Sequence, residues 1–283
     1  MIVVAGSASQ KLSQTLSEKL GAPLANVEVR RFPDTECYVR IHDDLSGEDV
    51  VVVQTSFPDD KVIELFLLQE AVRTYDVKSL ITVVPYFGYA RQDKQFNAGE
   101  PVSAKTLTKH LQLDSDTFIT VDIHEEKIMD WFDIPAVNVS GMPQIGEFLK
   151  GMGPEIIIAP DKGAIELARM AAEVVGCDSD YIEKTRIDGE TVEMKAKNLD
   201  VSGKKVAIVD DIIATGGTIV KATEQLKSQG ATEVYAACTH GLFTKNAITR
   251  LSGACDRVIS TDTIENETSV VSVAEEIAKK IKK

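Results

Sequence analysis

The sequence predicts an α/β protein of two similar domains, and three observations carry that prediction. Short β-branched runs alternate with helix-patterned segments along the whole chain, the signature of βαβ units and a mostly parallel sheet flanked by helices. The same order of elements occurs twice: runs 51–55, 81–85 and 118–122 are answered by 156–160, 206–210 and 234–238. The length, 283 residues, lies where a single hydrophobic core tends to divide, at roughly 250–300 residues.

Taken in order, the first half predicts strands at 2–5, 50–55, 80–85 and 117–122, with helices at 9–20, 61–75 and 101–112. The second half predicts strands at 156–160, 205–210 and 233–238, with helices near 163–175, 217–229 and 272–281. It differs by a polar insertion over 184–204 that contains Asp188-Gly189. Loops of that length inside a compact domain are usually functional or disordered. Gly141-Met-Pro143 punctuates the chain between the halves, which places the division at 1–142 and 143–283. The helix at 272–281 is free to pack on the first domain.

The charge balance narrows the function. With 31 Lys and Arg against 44 Asp and Glu the net charge is −13, and no long basic run is present. Nucleic-acid backbones are held by clustered cations that release counterions, so a nucleic-acid partner is not expected, whereas a small anionic ligand remains open. The longest apolar runs, such as 50–53 and 155–159, fall far short of the roughly 20 residues that cross a bilayer. The opening Met1-Ile-Val-Val-Ala-Gly6 is strand-like and lacks the basic, apolar and cleavage regions of a signal peptide. The expectation is a cytoplasmic protein without a membrane partner. Cys37, Cys177, Cys238 and Cys255 are scattered with no C-x-x-C pair, which predicts buried free thiols rather than disulfides or a zinc site.

The strongest local signal is Val206-Ala-Ile-Val-Asp-Asp-Ile-Ile-Ala-Thr-Gly-Gly-Thr218, an apolar strand ending in two carboxylates, then a Gly-Gly turn into a helix. Ligands of open parallel sheets bind beyond the carboxyl ends of the strands. Gly216 and Gly217 permit close backbone approach, the amides of 214–218 can face one concavity, and the helix N-terminus favours an anion. Thr215 and Thr218 add hydroxyls. Asp210 and Asp211 beside a phosphate would repel it unless they bind hydroxyls or a cation, and a sugar phosphate satisfies both ends. The arrangement resembles the motif of proteins that bind phosphoribosyl pyrophosphate.

Four other segments widen the resemblance: Arg31-Phe-Pro-Asp-Thr-Glu-Cys-Tyr-Val-Arg-Ile41, Pro85-Tyr-Phe-Gly-Tyr-Ala-Arg-Gln-Asp-Lys94, Val121-Asp-Ile-His124 and Ala159-Pro-Asp-Lys-Gly163. With Lys184-Thr-Arg186 and Cys238-Thr-His-Gly-Leu-Phe243, they resemble the successive signatures of the ribose-phosphate pyrophosphokinase family over nearly the whole chain. The resemblance implies two tandem phosphoribosyltransferase-type (type I) domains. It implies transfer of the β,γ-diphosphoryl group of ATP to the anomeric hydroxyl of ribose 5-phosphate, giving phosphoribosyl pyrophosphate and AMP. Such a reaction asks for positioned cations and magnesium more than for covalent chemistry.

The resemblance also implies residue roles. Lys184 is catalytic and Arg186 contacts the transferred or sugar phosphates; two apart, they share a side if that stretch is extended. Arg91 and Gln92 contact ATP within an aromatic setting of Tyr86, Phe87 and Tyr89. Asp34, Thr35 and Glu36, near Phe32, reach the adenine of a neighbouring subunit, which implies a homo-oligomer with a shared ATP site. Asp210, Asp211, Ala214, Thr215, Gly216, Gly217 and Thr218 hold ribose 5-phosphate. His124 and Asp161 are placed by magnesium, with Asp122 and Asp133 weaker candidates, while His42 and His110 carry no motif and His240 has no derivable role. Three positions depart from the family pattern: Ala214 where Asp is common, Thr35 where Gly is usual, and Asp60 where Asn is frequent. A phosphoribosyltransferase and a non-catalytic subunit are the competing readings; neither accounts as well for Arg91-Gln92 with Lys184 and Arg186.

Overall fold

The computed structural model describes residues 1–186, 192–196 and 200–282, the side chains of 184–186 and 192–196 excepted. The chain divides into two compact units, one of 1–140, 262–265 and 272–283, the other of 141–261 and 266–271. No helix among the described residues is long and apolar enough to cross a membrane.

The first unit opens with β1 (Ile2–Ala5) and α1 (Gln10–Leu20), then a hairpin of β2 (Val27–Arg31) and β3 (Cys37–Ile41). It continues through β4 (Asp49–Val53), α2 (Asp60–Arg73), β5 (Ser79–Val84), α3 (Ser103–Leu111), β6 (Thr117–Val121) and β7 (Ala136–Val139). The five-stranded sheet runs β1-β4-β5-β6-β7, all parallel. β4 shows why its run of four valines forms a central strand. Val50 and Val52 enter the core beneath α2 and α3, whereas Val51 and Val53 enter the core beneath α1. Both faces are buried, so alternation survives in position but not in residue type.

The second unit contains α4 (Met142–Lys150), β8 (Ile156–Ala159), α5 (Ile165–Val175), β9 (Asp178–Arg186), β10 (Val192–Ala196) and β11 (Lys205–Ile213). α6 (Gly217–Ser228), β12 (Glu233–Gly241), α7 (Ala247–Ala254), β13 (Arg257–Thr261) and β14 (Ser269–Val271) complete it. The sheet order is β10-β9-β8-β11-β12-β13-β14, parallel apart from the antiparallel β9–β10 edge. Val206 and Ile208 of β11 pack with Ile219, Leu226 and Leu251 of α6 and α7, while Ala207 and Val209 face Leu149 and Ala168 of α4 and α5. β11 runs three residues beyond its expected end at 210 because its pairing with β12 continues to Ile213 opposite Gly241.

The last helix, α8 (Ala274–Ile281), belongs to the first unit, where Ile277 and Ala278 join Val3, Leu12 and Leu16. Its return is fastened at both ends. The Glu265 carboxylate accepts from the backbone amides of Lys11 and Leu12 at 2.6 and 3.3 Å, covering the N-terminus of α1, and Asp262 accepts from the Val273 amide at 3.0 Å. All four cysteines are free, but only Cys238 and Cys255 are buried; Cys37, which opens β3, and Cys177, just before β9, are half-buried, which corrects the expectation of four buried thiols.

Candidate active site

Parallel strands deliver their carboxyl ends to one edge, and in the second unit β8 and β11 are neighbours there. Asp161 follows β8, its carboxylate accepting from the Gly163 amide at 2.8 Å. Asp210 and Asp211 lie on β11, each accepting the next residue's amide, at 3.0 and 2.8 Å. Burial raises the Asp210 pKa from an ordinary 3.8 to about 8, with further contributions from the charges of Asp211 and Asp161. The three carboxylates therefore form one electrostatic group that calls for hydroxyl donors or a cation.

The turn after β11 supplies the opposite chemistry. Gly216 adopts a left-handed φ of 72° as the N-cap of α6, a conformation that glycine takes without penalty. A Cβ at Gly217 would meet nothing within 4 Å, so the chain's own packing does not demand a glycine there. Space over the backbone at that point is what a bound anion needs. The amides of 214–218 donate to no acceptor among the described residues, and Thr215 and Thr218 are exposed beside them. Ala214 contributes its backbone here, so the missing Asp side chain leaves the amide row intact.

In the first unit, Arg91 and Gln92 sit in the turn after β5, where the Gln92 amide donates to Tyr89 O at 2.9 Å. Phe87 is core, edge-on to Phe118 and Phe132, and Tyr86 is buried. Tyr89, at φ 65°, is 42% exposed and donates its hydroxyl to Asp59 at 2.8 Å. Of the aromatic trio, Tyr89 alone is exposed enough to face a nucleotide. His124 is exposed after β6, following the buried, left-handed Asp122 (φ 35°). Lys127 joins Asp93 at 2.7 Å, tying the loop after β6 to the Arg91-Gln92 turn; the pairing lowers the Asp93 pKa and raises that of Lys127. Asp133 instead exchanges hydrogen bonds with Gln112, a structural role.

Asp34, Thr35 and Glu36 form the exposed β2–β3 tip. Thr35 has φ 75°, the left-handed value that a glycine would adopt freely, and its carbonyl accepts from Arg31 at 3.1 Å. Arg31 also pairs with Asp60 at 2.5 Å, so two of the departures from the family pattern converge on one contact that steadies the tip. Lys184 and Arg186 occupy β9 opposite Met194 and Val192 of β10. Their side chains, and the loop containing Asp188-Gly189, lie outside the described residues. Among the described residues no group of three His, Cys, Asp or Glu is arranged to hold a metal. Sequence reasoning missed the Asp93–Lys127 tie and the segment Phe243–Asn246 with Arg250, which hydrogen-bonds to the turn after β11. The adjacency of successive parallel strand ends is the signal that finds the latter.

A prediction follows for Asp210. Its folded pKa lies above its unfolded value, so the stability associated with its protonation is complete below about 3.8 and is lost as pH rises towards about 8. Asp210→Asn removes that loss. Thermal unfolding should show the variant's Tm advantage growing between pH 4 and pH 8 and then levelling; an advantage independent of pH contradicts the burial assigned to Asp210.

Comparison with known proteins adds independent findings. Residues 1–113 match the model for the N-terminal domain of ribose phosphate pyrophosphokinase, and residues 145–277 match the phosphoribosyl transferase domain. The chain is 43% identical to the ribose-phosphate pyrophosphokinase of Methanopyrus kandleri, covering 99% of this chain and 98% of the relative. It is 42% identical to that of Pyrococcus furiosus, covering 98% and 99%. The crystal structure of phosphoribosylpyrophosphate synthetase from Mycobacterium smegmatis superposes with a TM-score of 0.84 at 26% identity, covering 99% of this chain and 97% of that one. Matched in both halves and along its full length, the chain belongs to the ribose-phosphate pyrophosphokinase family.

Proposed function

We propose that the protein transfers the β,γ-diphosphoryl group of ATP to the C1 hydroxyl of ribose 5-phosphate, releasing AMP and phosphoribosyl pyrophosphate for nucleotide synthesis. Family membership supports the reaction, and one observation carries the site: a row of unengaged amides at 214–218 beside the carboxylates Asp210 and Asp211. The 5-phosphate takes the amides and the hydroxyls of Thr215 and Thr218, and the ribose hydroxyls donate to Asp210 and Asp211. Those hydrogen bonds to the aspartate pair orient the C1 hydroxyl for attack.

Arg91 and Gln92 hold ATP through planar stacking and fixed donors, with Tyr89 exposed nearby. Lys184 and Arg186 neutralise charge that develops on the phosphate oxygens during transfer. Magnesium suits the donor chemistry of Asp161, an exposed carboxylate within the influence of Asp210. When bound, the ion neutralises charge on the substrate phosphates. Asp34, Thr35 and Glu36 project from the hairpin tip to a neighbouring subunit's adenine, which makes the working enzyme a homo-oligomer, in the cytoplasm.

The reaction is tested by mixing the protein with ATP, ribose 5-phosphate and magnesium and quantifying products. Sugar-dependent AMP matched by phosphoribosyl pyrophosphate is expected; ADP, or no product from a chain that binds the sugar, overturns the reading. Lys184→Ala should lower kcat by about a hundredfold to a thousandfold while ribose 5-phosphate binding is kept, and unchanged kcat removes Lys184 from catalysis. If the ATP site is shared, mixing Lys184→Ala subunits with inactive Asp34→Ala/Glu36→Ala subunits should restore part of the activity. No recovery in verified mixed oligomers argues that each subunit works alone.

A further inference from the structure

The turn that is assigned to the sugar phosphate is gripped from behind. β12 pairs in parallel with β11 up to Ile213 and Gly241, so the segments following the two strands leave side by side. Three consecutive carbonyls of the turn then accept hydrogen bonds from the second segment. Ile213 O takes the Phe243 amide at 3.2 Å, Ala214 O takes the Thr244 amide at 2.9 Å, and Thr215 O takes Nη2 of Arg250 at 2.6 Å. The same Nη2 reaches Lys245 O at 3.4 Å, so one guanidinium joins both segments.

In a trans peptide unit the C=O and the next N–H point in opposite directions. Fixing the carbonyls of 213, 214 and 215 towards the second segment therefore turns the amides of 214, 215 and 216 away from it, as one set. The segment that does this is itself constrained. Phe243, Lys245 and Asn246 have φ values of 43°, 54° and 58°, left-handed conformations that disfavour side chains and persist where the surroundings over-determine them. The Phe243 ring lies over Gly241, where a Cβ would overlap it, and Leu251 of α7 comes within 3.0 Å of where a Cβ of Gly216 would stand. α7 and its leading segment are thus built against the turn rather than merely adjacent to it.

We propose that Arg250 is a positioning residue for ribose 5-phosphate: with the amides of Phe243 and Thr244 it turns the carbonyls of 213–215 outward and so aims the amides of 214–216 at the phosphate. Arg250 acts on the Thr215–Gly216 peptide in particular. A cationic donor on that carbonyl also polarises the peptide, strengthening the N–H at its other end. This role rests on the assignment of 214–218 to the sugar phosphate.

The test compares wild type, Arg250→Met, Arg250→Lys and Gly217→Val by steady-state kinetics and by calorimetry with ribose 5-phosphate alone. Losing a charged hydrogen bond predicts that Arg250→Met raises the sugar's KM and Kd by about tenfold or more, with the KM for ATP and the kcat at saturating sugar little changed. Arg250→Lys, which keeps one cationic donor, should recover most of the affinity. An Arg250→Met enzyme with unaltered sugar affinity overturns the role, as does one whose KM values for ATP and sugar rise alike with a fall in Tm, which marks a general structural part. Gly217→Val separates the two levels. If it abolishes sugar binding while Arg250→Met does not, the phosphate assignment stands and the positioning role falls; if folded Gly217→Val binds the sugar normally, both fall.

Discussion

The parallel pairing of β11 between β8 and β12 is the constraint on which the second unit depends. Register fixes which side chains enter which core, and a slip of one residue would exchange the faces of Val206, Ala207, Ile208 and Val209. The same register determines what meets at the carboxyl edge. Asp161 arrives from β8, the aspartate pair and the turn from β11, and the left-handed segment from β12. Core packing and site geometry are consequences of one set of ladder hydrogen bonds, so the apolar residues far from the edge are as necessary to the site as the polar ones on it.

That edge holds two unbalanced inventories side by side. Desolvation of Asp210, with smaller contributions from the charges of Asp211 and Asp161, brings its pKa to about 8, and a row of amides has no acceptor among the described residues. The first costs stability through desolvation of a charged group beside like charge, and the second presents donors that an anion can take up. A ligand with hydroxyls at one end and an anion at the other relieves both, whereas a simple anion relieves the second alone. Under the proposed assignment of 214–218 to the sugar phosphate, that pairing favours a phosphorylated sugar over free phosphate.

Much of this was legible in the sequence, for physical reasons that also explain the omissions. β1, β4, β5, β6, β8, β11 and β12 are apolar on both faces and stand out as runs. β7, β13 and β14 are short and mixed in polarity, and the β2–β3 hairpin alternates valine with charge, so none stands out. Gly141-Met-Pro143 reads as punctuation, yet its proline lies in the first turn of α4, where the missing amide costs nothing. At the site, Asp210, Asp211 and the glycine pair declare themselves because their chemistry is local. Arg250 and the Phe243–Asn246 segment do not, because their work is done through backbone carbonyls some 30 residues away. Thr35 shows the converse: its replacement of glycine was visible, but its left-handed φ, steadied by Arg31 and Asp60, was not.

The central claim is that the amides of 214–218 are the sugar-phosphate receptor, and amide hydrogen exchange with and without saturating ribose 5-phosphate tests it most directly. Unengaged amides exchange quickly and slow when they acquire an acceptor. Peptides spanning 214–218 should become protected on adding the sugar phosphate, with free ribose producing no such protection. Saturated protein in which these amides exchange as before, while protection falls elsewhere, would contradict the account.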